Sequence, residues 1–212
     1  NQARHAMVEQ QVRPWEVLDR RVLDVLGDVR REDFVPVPHR KLAFADLALP
    51  LGHGEFMLKP VVEGRLLQAL DLAPTDEVLE IGAGSGFLTA CLARLARSVQ
   101  AIEINADFVA EAQRRLQTLE AANVRLEQAD AATWDTALRF DAILVGGAVA
   151  VLPERFQRWL KPGGRLVAVR GNAPVQEVVC LRHEAGGLRL ESLFETDIPY
   201  LRGFAPEARF AL

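Results

Sequence analysis

Residues 78–86 read Val-Leu-Glu-Ile-Gly-Ala-Gly-Ser-Gly, and they restrict the fold more than any other stretch of the chain. An apolar run, Val78 to Ile81, stops at glycines on alternate positions, Gly82, Gly84 and Gly86. A helical pattern follows at once, from Phe87 to Leu95. A strand that turns tightly into a helix needs residues free to adopt positive φ, and glycine supplies that freedom. Glycine there also lets a ligand approach the backbone closely. The spacing is G-x-G-x-G, not the G-x-G-x-x-G of dinucleotide-binding turns. Glu80 stands two places before the first glycine.

The next elements continue the alternation. Ser98 to Glu103 is a short strand ending in an acid, about twenty residues after Gly82. In a doubly wound sheet Glu103 then lies at the C-terminal end of the neighbouring strand, beside the glycine turn. An ionised carboxylate only accepts hydrogen bonds and suits the two hydroxyls of a ribose; the alternative is a solvated strand-end glutamate. Asp107 falls in the first turn of the following helix, where it complements the dipole. A third strand, Val124 to Asp130, ends in a second acid, which also suits an N-cap for Ala131 to Trp134. Phe140 to Gly147 is a central strand that opens through Gly146-Gly147. Lys161-Pro-Gly-Gly-Arg165 turns a helix into a fifth strand, Leu166 to Val169.

Strand–helix alternation over residues 76–170 implies an α/β fold with a mostly parallel, doubly wound sheet and helices on both faces. Val175 to His183 and Leu188 to Phe194, joined at Gly186-Gly187, read as an antiparallel hairpin on its edge. Residues 199–212 read as irregular. Residues 1–60 form a helical extension, with helices over Met7 to Val12 and over Arg20 to Leu26, the second capped by Asp19. Phe34-Val-Pro-Val-Pro38 excludes regular helix. Lys59 to Leu70 is a helix entered through Pro60, with Val62, Leu66, Leu67 and Leu70 on one face. We divide the chain into this extension with its loop (1–60) and a sheet domain (61–212), expected to form one compact unit.

Composition removes several classes. A net charge of −4 over 212 residues provides no broad basic field for nucleic acid. No apolar run of membrane-spanning length occurs, and Asn1-Gln-Ala-Arg-His lacks the apolar region of a signal peptide. Cys91 and Cys180 lie inside apolar patterns without metal-ligand spacing and are expected to be reduced. The expected compartment is the cytoplasm.

The glycine turn with its upstream acid and the acid ending the next strand is similar to the cofactor motif of S-adenosylmethionine-dependent methyltransferases. That resemblance implies a Rossmann-like methyltransferase domain. It places Glu80, Gly82, Ala83, Gly84, Ser85 and Gly86 at the cofactor turn, Glu103 at the ribose and Asp130 at the adenine, and counts Ile104 and Ala131 among the cofactor-binding residues.

One family matches more of the chain. Met7-Val-Glu-Gln-Gln-Val12, Arg31-Glu-Asp-Phe-Val-Pro36, Ala43-Phe-Ala-Asp46, Leu49-Pro-Leu-Gly-His-Gly54, Leu79 to Phe87 and Leu160 to Val167 together resemble the protein-L-isoaspartate O-methyltransferases. The resemblance implies O-methylation of L-isoaspartyl or D-aspartyl carboxylates in damaged proteins, a protein-repair activity with a protein or peptide carboxylate as partner. It leaves the oligomeric state open.

The sequence departs from the family at the acceptor loop. The usual Gly-x-Gly-Gln-Thr-Ile-Ser-x-Pro is here Gly52-His-Gly-Glu-Phe-Met-Leu-Lys-Pro60. The glycines and proline fix the register, so Phe56 replaces the threonine and Leu58 the serine that orients the acceptor. The candidate acceptor loop is Glu55, Phe56, Met57, Leu58 and Lys59, and no catalytic residue is assigned. The greasier loop keeps two other readings open: a cofactor-binding module without isoaspartyl activity, and a methyltransferase for a more apolar acceptor. His53 reads as a loop histidine bonded to backbone, or as an acid or base. Trp134 reads as core or as a lid on the adenine. Arg30-Arg31 reads as a solvated patch, and His5, His39 and His183 as surface residues.

Overall fold

The computed structural model describes residues 2–207. Asn1, and the part of the irregular tail beyond residue 207, lie outside the described residues. Helix α1 (Gln2–Met7) continues through a π-helical turn, Val8–Val12, into a 3-10 turn, Arg13–Trp15. Helix α2 (Arg20–Asp28) begins where the Asp19 carboxylate accepts the Arg21 N–H, so the expected cap is formed. Val22, Leu23 and Leu26 share its buried face. A two-stranded hairpin, β1 (Leu49–Gly52) with β2 (Glu55–Met57), occupies the stretch read as an acceptor loop. Helix α3 (Pro60–Leu70) starts at its proline, which needs no intrahelical donor there.

The alternating part follows: β3 (Glu77–Ile81), α4 (Phe87–Leu95), β4 (Ser98–Glu103), α5 (Ala106–Thr118), β5 (Val124–Gln128) and β6 (Phe140–Val149). A short helix α6 (Glu154–Gln157) leads to β7 (Leu160–Asn172), β8 (Val175–Glu184) and β9 (Gly187–Thr196). Seven strands form one sheet in the order β5-β4-β3-β6-β7-β8-β9. The first five are parallel and the last two antiparallel. The segment read as a turn at Lys161 to Arg165 is absorbed into β7 as a bulge, where Leu160 pairs with Phe140 and Arg165 with Ala142.

The chain runs outward from β3 through β4 to β5, then returns to the other side of β3 as β6. That reversal is the topological switch point, where open α/β sheets leave a crevice at the carboxyl ends of their strands. Parallel strands buried on both faces read as near-continuous apolar runs; Ala142 to Val145 of β6 do so, and Val78 to Ile81 of β3 do so apart from the buried Glu80. One face packs Val78, Leu144 and Val167 against α3, α4, α5 and the extension. The other packs Leu79, Ile143 and Leu166 against Phe156, Trp159 and the segments holding Trp134, Leu201 and Phe204.

Arg31 corrects the expectation of a solvated Arg30-Arg31 patch. Its side chain is fully buried, whereas Arg30 is exposed and pairs with Asp33. The Arg31 guanidinium donates to the Ala43 carbonyl (2.8 Å), the Leu58 carbonyl (2.7 Å) and the Glu63 carboxylate. One cation thus ties the extension to α3 and to the strand leading out of the acceptor hairpin. A buried charge costs several kcal/mol unless it is paired and hydrogen-bonded, and here both conditions hold. Arg31→Ala would leave the buried Glu63 carboxyl, which burial pushes up to about 8, without the guanidinium that counters that push. We expect a loss of about 3–5 kcal/mol in denaturant unfolding, with Arg30→Ala changing stability by under about 0.5 kcal/mol.

Candidate functional site

A cleft opens at the switch point. Its floor is the turn between β3 and α4, its walls the ends of β4 and β6, and its mouth the β1–β2 hairpin and residues 199–202. The turn is folded back on β4: the Gly82 and Ala83 N–H groups both donate to the Ile102 carbonyl, at 2.9 and 3.2 Å. Gly82, Gly84 and Gly86 all have positive φ, as their alternate spacing predicts. Gly146 lets β6 pass this close, because a Cβ there would stand 2.5 Å from the Gly82 carbonyl oxygen.

Glu103 faces the turn and is buried. Its Oε2 accepts the Gly84 N–H at 2.9 Å; its Oε1 accepts the Asn105 N–H at 2.9 Å and the Asn105 side-chain amide at 3.0 Å. A carboxylate offers about four acceptor sites, so these three leave one on Oε2. Asp130 lies at the far side of the cleft with Ile104 and Ala131. Its Oδ1 accepts the Ala132 N–H at 2.8 Å, so the capping reading holds locally, and the side chain remains exposed in the cleft.

The structure separates the remaining candidates. Gly82, Gly84, Glu103, Ile104, Asp130 and Ala131 line the cleft together. Ala83, Ser85 and Gly86 shape the turn from behind; Ser85 Oγ accepts the Phe87 N–H, and Gly86 closes on Ala112 of α5. Glu80 is not among the residues lining the cleft. It is buried beneath the turn and accepts the Thr89 hydroxyl at 2.5 Å. Burial pushes its carboxyl up to about 8, against a weaker pull from Thr89 and with a push from Glu103.

In the acceptor hairpin Phe56 and Leu58 reach the cleft on alternate positions, and Glu55 joins them at the start of β2. Met57 is buried in the core, and Lys59 points to solvent. His53 sits in the left-handed region between two positive-φ glycines. It corrects the expectation of a backbone partner: Nε2 meets Asp107 Oδ2 at 2.8 Å, and the ring stands edge-on to Phe108. Asp107 therefore anchors the hairpin tip to α5 as well as facing the helix dipole. Trp134 takes the core reading, edge-on to Trp159 with its N–H on Glu127.

Sequence reasoning missed Leu51, Phe108, Pro199, Tyr200, Leu201 and Arg202, which complete the walls and mouth. Leu51 and Phe108 lie in segments already singled out, while Pro199 to Arg202 fall in the stretch read as irregular. The segment is brought in by β6, where Ala148 donates to Pro199 and accepts from Leu201.

The donor and acceptor set fits an adenosine ligand with a cationic sulfur: a glycine floor, a buried carboxylate for a diol, a second acid for an amine, and apolar walls. This fold and cleft define the Rossmann-like class of S-adenosylmethionine-dependent methyltransferases. A solved structure from Plasmodium falciparum, assigned as a protein-L-isoaspartate O-methyltransferase and holding S-adenosyl-L-homocysteine, covers 94% of this chain and 98% of its own with a TM-score of 0.80. Its 20% identity speaks for the fold alone. The model of the family Protein-L-isoaspartate(D-aspartate) O-methyltransferase (PCMT) matches residues 2–196. A protein-L-isoaspartate O-methyltransferase of Roseiflexus sp. is 37% identical over 205 residues, 95% of this chain and 93% of its own. One of Methylorubrum populi is 39% identical over 205 residues, 95% of this chain and 96% of its own. The chain belongs to the protein-L-isoaspartate(D-aspartate) O-methyltransferase family, and its chemistry is S-adenosylmethionine-dependent O-methyl transfer.

Two outcomes follow from this geometry. If Glu103 holds the ribose as the motif implies, Glu103→Ala removes a buried acceptor at a cost of about 1–3 kcal/mol, or about 5- to 150-fold in affinity for S-adenosylhomocysteine. Asp107→Ala is expected to leave that affinity within about threefold, and calorimetric titration compares the two. Glu80 affects stability instead. Its folded-state carboxyl holds a proton that the unfolded chain releases near 4.5, so stability falls as pH rises from about 4.5 to about 8. Glu80→Gln mimics the protonated form and should flatten that slope in unfolding midpoints measured from pH 5 to 8.

Proposed function

We propose that this chain methylates the free carboxylate of isoaspartyl residues in proteins or peptides, with S-adenosylmethionine bound in the cleft at the switch point. The observation that carries the reading is the convergence on one cleft of the glycine turn, two strand-end acids and the acceptor hairpin. Glu103 would hold the ribose hydroxyls and Asp130 the adenine amino group, with Ile104 and Ala131 against the base. For the ribose to gain both hydroxyl contacts, the Asn105 amide is the donor that yields, since Gly84 shapes the turn itself.

When bound, the cofactor supplies an electrophilic methyl on a sulfonium sulfur, which keeps the bonding pair as the acceptor oxygen takes the methyl. The acceptor carboxylate is already ionised at neutral pH, so the chain needs no general base. Its task is to hold the acceptor oxygen in line, about 3–3.5 Å from the methyl carbon, in a site closed to water. Leu51, Phe56, Leu58 and Phe108 supply the apolar closure. No helix among the described residues is long and apolar enough to cross a membrane. With both cysteines free, we assign the reaction to the cytoplasm, as repair of damaged proteins.

Phe56 and Leu58 support a second reading, an acceptor with an apolar group beside its carboxylate. Leu58 belongs to the core as well as to the cleft, so Leu58→Ser would cost stability, of the order of 2–5 kcal/mol. Phe56 is 41% exposed and can be changed more safely. Labelled methyl transfer to an isoaspartyl peptide and to its normal aspartyl counterpart tests the proposal. Transfer to the first only is expected, and Phe56→Thr should raise kcat/KM about fivefold by restoring one hydroxyl donor. Transfer to neither peptide, in a chain that binds S-adenosylhomocysteine, would overturn the isoaspartyl reading and favour the apolar acceptor.

A further inference from the structure

Among the described residues lining the cleft, Arg202 alone is cationic, and the other charged side chains are Glu55, Glu103 and Asp130. Glu103 and Asp130 lie on the cofactor side. Glu55 lies on β2, in the acceptor hairpin, and Arg202 faces it across the mouth: a guanidinium nitrogen stands 3.7 Å from Glu55 Oε1. This is ion-pair range but longer than a hydrogen bond, so the fork of donors is not committed to that carboxylate.

The backbone under Arg202 is held on both sides. Leu201 N–H donates to Ala148 at 2.8 Å, Ala150 N–H donates to Phe204 at 2.8 Å, and the Tyr200 hydroxyl donates to Gly171 while accepting the Ala173 N–H. The Arg202 side chain itself is 47% exposed and can move. The hydroxyls that the family places on the hairpin are absent here, and the Tyr200 hydroxyl is already engaged. Arg202 is therefore the side chain left at the mouth that can donate to an anionic acceptor.

We propose that Arg202 anchors the acceptor carboxylate in place of the missing hydroxyls, and that Glu55 occupies this anchor until the acceptor displaces it. The proposal rests on the carboxylate-methylating reading above. Glu55 acts as a built-in competitor with the same charge as the substrate. Burial already pushes its carboxyl up, with Arg202 as the main counterweight and Glu103 adding to the push, so Glu55 gives up the guanidinium by taking a proton or turning to water. One acceptor oxygen engages Arg202 and the other remains free for methyl transfer. The ester formed is neutral, so the attraction ends with the reaction and Glu55 returns to Arg202. Selectivity follows: an acceptor without a negative charge gains nothing from Arg202.

The test combines steady-state kinetics on an isoaspartyl peptide with S-adenosylhomocysteine titration, for wild type, R202Q, R202K and E55Q. R202Q should raise the peptide KM about tenfold or more, R202K less, and E55Q should lower it, all with S-adenosylhomocysteine affinity within about twofold of wild type. That affinity also shows that each variant is folded. An unchanged peptide KM in R202Q would overturn the anchor alone. So would a loss of S-adenosylhomocysteine affinity as large as the change in KM, because Arg202 would then be holding the carboxylate of the cofactor. A wild type that binds S-adenosylhomocysteine but does not turn over the isoaspartyl peptide would refute the substrate reading and the anchor together.

Discussion

Glu103 is a buried carboxylate, and the cleft exists in the form that it does because three donors of the chain itself satisfy this group. An unpaired carboxylate at that depth would be driven to protonate or to pull the strand end toward water. The Gly84 N–H bond joins the end of β4 to the glycine turn, and the two Asn105 bonds set the start of α5. The same residue that would read the ribose thus holds the turn open before any ligand arrives. The intrachain bonds hold the carboxylate in place with no ligand bound, so the position is preorganised.

The acceptor half is organised differently. Its hairpin is secured by contacts that do not involve Phe56, although the Leu58 side chain packs into the core beneath it. Arg31 grips the Leu58 carbonyl, His53 grips Asp107, and the Asp46 carboxylate accepts the Val61 N–H at the entrance to α3. A loop tied through the Leu58 carbonyl and its tip can exchange an exposed lining residue such as Phe56 without losing its shape. On this reading the change from hydroxyls to Phe56 and Leu58 alters the chemistry presented to the acceptor and leaves the hairpin in register. The Arg202–Glu55 pair across the mouth then supplies charge where hydroxyls are missing.

Much of this was readable from the sequence because it is local. The alternate glycines, the apolar run before them and the acid ending β4 all lie within a few residues of the elements they define. Asp19, Pro60 and the Gly186-Gly187 turn are local signals of the same kind. Glu80 shows the limit of a local reading: its place in the chain suits the cofactor turn, and strand alternation points its side chain down to Thr89 beneath that turn. Arg31, His53 and Arg202 were misread or missed because their partners come from distant segments: Glu63 and Leu58, Asp107, and Glu55. No periodicity along the chain reports such pairings. Arg31 stands in a polar-looking run, and only the packing of α3 against the extension shows that it is buried.

The central claim is that Glu103 and Asp130 hold the nucleoside while the hairpin and Arg202 face the methyl. A crystal structure of the chain with S-adenosylhomocysteine tests it directly. Both ribose hydroxyls are expected within hydrogen-bond distance of Glu103, the adenine amino group on Asp130, and the cofactor sulfur turned toward Phe56, Leu58 and Arg202. A nucleoside bound elsewhere, or a sulfur directed away from the hairpin, would contradict it.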